Sequence, residues 1–158
     1  MIDLTFDFKT VGGVANIYVI PPSAFGGITT NYATKRHSIQ VTSFDSVIRI
    51  PRYADETFSF GENHGRDEHG DYWEPIVQGV IPKASLDNAD IIETLERGEW
   101  ILLTQDHNGA VRVCGDADTP LFFSTDAGSG SAYTDRNQTA FTISGRLGHP
   151  SYVLDYEL

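Results

Sequence analysis

The sequence predicts a mainly β protein: an antiparallel β-sandwich or barrel with one short flanking α-helix over residues 87–97, as a single β-rich domain spanning 1–158. Three observations predict it. Apolar and polar residues alternate with period two in several short runs, which puts one face of each run in a core and the other in water. Gly, Pro, Asn and Asp punctuate these runs at short intervals, as turns between strands require. Only one stretch combines helical spacing with residues suited to both helix ends.

Taken in order, Ile2, Leu4, Phe6 and Phe8 fall on one face of a first strand, with Asp3, Thr5, Asp7 and Lys9 on the other. Gly12-Gly13 breaks the pattern, and Val14 to Ile20 resumes it as the second limb of a hairpin. Pro21-Pro22 ends that limb, because proline donates nothing to a ladder. Residues 21–36 are small or polar, with Gly26-Gly27 and no period, and read as a long surface loop. His37 to Ile50 carries two strands separated by a bend at Ser43, Asp45 and Ser46, and Pro51 closes it.

Thr57 to Phe60 and Tyr72 to Ile81 then read as the limbs of a hairpin over residues 56–82. Its connection, ENHGRDEHGD, is long, exposed and mobile on this reading, and YWE begins the return strand. In the helical segment Asp87 suits the N-cap, Ile91, Ile92 and Leu95 share one face, and Gly98 stands where a left-handed C-terminal residue is favoured. The helix is amphipathic and is expected to lie against the sheet. Asn108-Gly109 between two strand-like runs is a strong hairpin signal, since both residues tolerate positive φ. Leu121-Phe122-Phe123, Thr139 to Ser144 and Tyr152-Val153-Leu154 complete the strands, with 126–136 as a flexible insertion.

Charge and composition narrow the function classes. Against 11 Lys and Arg stand 22 Asp and Glu, a formal net charge of -11, which repels phosphate backbones and anionic membranes. Direct sequence-specific nucleic-acid binding is therefore not expected. Neither is a membrane association, because no apolar run approaches the ~18 residues that span a bilayer. The densest basic group is Lys35, Arg36 and His37, read as a solvated strand edge. The N-terminus shows no signal-peptide pattern, so synthesis in the cytosol is expected. The single Cys114 sits in an alternating run and reads as a buried, inert thiol in a reducing compartment.

The segment 62–74 carries the densest candidate chemistry. His64, His69, Asp67 and Asp71 offer mixed nitrogen and oxygen ligands for a metal ion. Their spacing fits neither a calcium loop nor a His-Glu-x-x-His helix, and the composition favours a turn-rich, soluble connection over coordination. No Gly-x-Ser-x-Gly elbow surrounds Ser129, and Asp116 and Asp118 in GDADTP read as turn caps rather than an acid–base pair. No catalytic residue and no cofactor is expected. Phe25, Tyr32, Tyr72 and Tyr133 are the candidate interaction residues, and Trp100 reads as core. Tyr72 and Trp73 are neighbours on a strand, so at most one of them joins the core.

Several stretches carry a resemblance: DYWEPIVQGVIPK after the acidic segment, the helix IIETLERGEW, the hairpin ILLTQDHNGAVRVCGDADTPLFFS and the closing DRNQTAFTISGRLGHPSYVL. From residue 56 onward the chain resembles small proteins encoded in phage and prophage structural modules of gut Bacteroidetes. That resemblance implies a non-enzymatic virion component of the tail or head-tail junction. Such a component is expected to form a homo-oligomer or a ring with other tail or head-tail proteins and to reside in the phage-like particle once assembled. The alternative reading is a glycan- or metal-dependent binding module that uses exposed aromatics and the acidic 62–71 segment.

Overall fold

The computed structural model describes residues 13–51, 58–82, 86–128 and 138–154. The run 2–9, and with it the expected N-terminal hairpin, lies outside the described residues. The strands are β1 (Val14–Ile20), β2 (Phe25–Asn31), β3 (Arg36–Val41), β4 (Ile48–Arg49), β5 (Ser59–Asp67), β6 (Gly70–Pro82), β7 (Glu99–Asp106), β8 (Val111–Cys114), β9 (Leu121–Gly128), β10 (Gln138–Ser144) and β11 (Tyr152–Val153). Among the described residues one α-helix, α1 (Leu86–Arg97), precedes β7. The mainly β, antiparallel class with one helix is thus the observed one.

Nine strands form one sheet in the order β11-β8-β7-β9-β10-β6-β5, with β1 beside β7 and β4 beside β1; β2 and β3 pair separately. The sheet is folded over on itself rather than closed. β7 joins its halves: Glu99 and Trp100 pair with Phe122 and Leu121 of β9, while Ile101 to Asp106 pair with β1. Both halves contribute to a first core, with Ile17, Val19 and Leu102 from one and Val77, Phe141 and Ile143 from the other. This is a sandwich arrangement. The β2–β3 hairpin covers the opposite face of β7 and builds a second core from Phe25, Ile101, Leu103, Val111, Val113 and neighbours. With both faces covered, β7 buries Trp100 to Thr104 without interruption, which explains why WILL shows no alternation.

The segment 21–36 is not a long loop. Pro22–Ala24 form one 3₁₀ turn and the rest is β2, a tight turn and the start of β3. The glycines that suggested a loop make a bulge: the ladder shifts register between Phe25 and Gly27, and Gly27 adopts φ 115°. Residues 126–128 likewise belong to β9 rather than to an insertion, and the remainder of 126–136 lies outside the described residues.

α1 is placed as expected, with Leu95 fully buried and Ile91 and Ile92 packed on the first core. Asp87 stands inside the first turn rather than before it. Gly98 is not in a left-handed conformation. A Cβ there would lie 2.6 Å from the Trp100 ring, so close packing of the indole is what excludes a side chain. The Trp100 Nε1–H donates to the Leu95 carbonyl at 2.9 Å, tying the helix end to β7. The Asn-Gly hairpin forms between β7 and β8. Only Gly109 takes positive φ, at 89°, and the Asp106 side chain accepts from the Asn108 and Ala110 N–H groups.

Candidate functional site

The acidic segment 62–71 is strand almost throughout, which corrects the expectation of a long mobile connection. β5 and β6 stay in register from Ser59 opposite Gln78 to Asp67 opposite Gly70, leaving Glu68 and His69 alone as the turn. Asp67 accepts the His69 N–H at 2.8 Å and Gly70 supplies φ 118°. The apolar period is missing because both faces of this end of the hairpin are built from polar cross-strand pairs.

On one face His64 opposes Trp73 and Arg66 opposes Asp71. The His64 ring lies 4.9 Å from the Trp73 ring, and Asp71 accepts from Arg66 Nε at 2.7 Å and stands 3.2 Å from His64 Nε2. On the other face Tyr72 lies over Gly65, where a Cβ would come within 2.4 Å of the phenol. Arg146 stacks 4.0 Å above the Tyr72 ring and reaches Glu74 at 2.8 Å and Asp67 at 3.6 Å. The hydrogen bond from Arg66 holds the Asp71 carboxyl below the usual carboxylate range, and Glu74 raises the already high value of Arg146.

This geometry separates the four candidate metal ligands. His64 and Asp71 share a face, Asp67 belongs to the opposite face with Arg146, and His69 turns to Glu68 at 3.5 Å. Among the described residues no group of three or more His, Cys, Asp and Glu side chains is arranged to hold a metal ion.

The interaction candidates also divide. Phe25 is 7% exposed and belongs to the second core, so as folded it presents no ring to a partner. Tyr72 is half-buried beneath Arg146, while its neighbour Trp73 packs on the first core from the opposite face. Tyr133 lies outside the described residues. Tyr32 is 88% exposed at the tip of the β2–β3 hairpin. Cys114 is fully buried, and burial pushes its thiol up to about 12, which leaves it protonated and inert.

Two features carry no local signal in the sequence. The first is a column of rings: His37 stacks on Tyr152 at 4.3 Å, and His149 stacks on the same tyrosine at 5.1 Å. Asp116 holds His149 Nε2 at 3.2 Å through one oxygen, while its other oxygen accepts from the Asp118 and Thr119 N–H groups, the turn-capping role expected of it. His149 Nδ1 faces the Pro150 carbonyl at 2.9 Å, so both ring nitrogens are engaged and the column is a clamp between β3, β11 and the 116–119 turn. The second is a groove of about 600 Å³ lined chiefly by Ile20, Ile39, Val41, Phe44, Val47 and Leu103. Phe44 stands at its rim, 78% exposed.

No helix among the described residues is long and apolar enough to cross a membrane. Comparisons with family models, curated proteins and solved structures give no match to this chain.

Proposed function

We propose that the protein is a non-enzymatic structural or assembly component of a phage-like particle, of the tail-tube, tail-completion or head-tail connector type, acting through self-association and contacts with neighbouring particle proteins. The observation that carries the reading is the β2–β3 hairpin, a two-stranded sheet of its own that projects Tyr32 into solvent at its tip and lends Ile39 and Val41 to an open groove rimmed by the exposed Phe44. Exposed aromatics of this kind are enriched at protein interfaces, where a rigid ring covers apolar surface at low entropic cost. The resemblance of the segment from residue 56 onward supports the same class of role. The net charge of -11 suits a subunit that lies near nucleic acid without gripping it.

Size-exclusion chromatography with light scattering, run on the full chain over a wide concentration range, tests self-association. A mass that rises toward a discrete multiple of 17.4 kDa is expected. A strict monomer throughout would sink the reading.

A further inference from the structure

We propose that the groove framed by β1, β3, β4 and β7 binds an amphipathic monoanion, a medium-chain carboxylate, with its hydrocarbon chain on the aliphatic floor and its carboxylate on Arg49. Such a ligand site requires no second copy of the chain.

The strand register gives the groove a polar end and an apolar body. Along β1, Asn16, Tyr18 and Ile20 point to one side, and their partners on β7 are Gln105, Leu103 and Ile101. Polar residues therefore mark one end of the row and aliphatic residues the other. Arg49 of β4 lies directly opposite Tyr18, where the two meet. Beyond it the lining is Ile20, Ile39, Val41, Val47 and Leu103, with the exposed Phe44 at the rim. A volume of about 600 Å³ with one charged group among apolar side chains is the usual make-up of a small-ligand site.

Arg49 is held in place without an acid. Its Nη2 donates to Asn16 Oδ1 at 2.6 Å, and Asn16 Nδ2 donates in turn to Gln105 Oε1 at 3.0 Å, which fixes the Asn16 oxygen toward the guanidinium. Arg66, Arg97 and Arg146 each reach a carboxylate, whereas Arg49 makes no ion pair among the described residues. The described lining contains no carboxylate either, and Asp45, next to Phe44, is exposed and outside it. The remaining guanidinium N–H groups suit a carboxylate, whose two oxygens match their fork. Tyr18 lines the groove opposite Arg49, and its hydroxyl has no hydrogen-bond partner among the described residues. One cation compensates one negative charge. A dianion would carry its second charge uncompensated into a protein of net charge -11.

Calorimetric titration of the full chain with octanoate, hexanoate, octanol and octyltrimethylammonium, each below its micellar concentration, tests the site. Octanoate should bind about tenfold tighter than hexanoate, because two more methylenes leave water, and about tenfold tighter than octanol, which lacks the charge. The ammonium should not bind. Methyl NMR shifts on octanoate addition should centre on Val41, Val47 and Leu103. Arg49→Gln should weaken octanoate about tenfold and leave octanol unchanged, and Arg49→Lys should fall between, since it keeps the charge and loses the fork. Arg49 is exposed, so the melting temperature should hold and serve as the folding control. In the native chain, octanoate that does not bind, binds no better than octanol or shifts methyls outside the groove would overturn the proposal. Undiminished octanoate affinity in a stably folded Arg49→Gln protein would overturn it as well.

Discussion

Asp116 shows how one residue links a local turn to a distant part of the chain. Burial by itself would raise its carboxyl, but the Asp118 and Thr119 N–H groups, the His149 ring and the Thr119 hydroxyl outweigh burial and hold it below the usual carboxylate range. A folded-state value below the unfolded one stabilises the protein above the unfolded pKa, and that contribution is lost as pH falls through the folded value. The stability difference between the native protein and Asp116→Asn should therefore be constant near neutrality and shrink as pH falls below about 4. Urea denaturation of both proteins at a series of pH values measures it, and a difference that grows on acidification would exclude this role. Gly65 makes the complementary point. Nothing in the sequence marks it apart from Gly61 or Gly70, and only the Tyr72 ring lying over it explains the absence of a side chain.

At the level of the element, the β5–β6 hairpin is the clearest case of structure that composition concealed. Asp67 and Gly70 flank a two-residue turn and so form a hydrogen-bonded pair. Counting back, Gly65 with Tyr72 and Asn63 with Glu74 are hydrogen-bonded pairs, while His64 with Trp73 is not. The Trp73 N–H agrees, donating to Leu147 on the other side of β6 at 2.9 Å. Hydrogen exchange should accordingly find the Asn63 and Gly65 amides slower than those of His64 and Arg66, which point away from the ladder. Uniformly fast exchange across 62–67 would mean a mobile connection after all. The helix over 87–97 and the Asn-Gly hairpin were legible in advance because helical spacing and turn residues act within a few positions of one another, whereas the caps expected at Asp87 and Gly98 did not form as read. Polar ladders and the bulge at Gly26-Gly27 carry no such local mark, since their order comes from the partner strand.

For the whole molecule, β7 is the strand on which stability converges. Leu102 belongs to the first core and Ile101 to the second, and both are fully buried. Leu102→Ala and Ile101→Ala should each cost about 2–5 kcal/mol, the range for emptying a well-packed aliphatic site. Because the strand belongs to both cores, each substitution should shift a single cooperative unfolding transition. Two separable transitions, with each variant moving only one, would show the hairpin layer and the sandwich to be independent.

The sequence by itself determined the mainly β class, the position and buried face of α1, the β7–β8 turn, the inert Cys114 and the capping role of Asp116. Each depends on interactions within a few residues, or on an apolar period that one buried face imposes. Tertiary structure alone decided that β7 is covered on both faces, that Phe25 is core while Tyr32 is surface, and that His37, Asp116, His149 and Tyr152 form one clamp. Those outcomes depend on which elements pack together. A contact between residues tens to more than a hundred positions apart leaves no pattern in the chain around either of them.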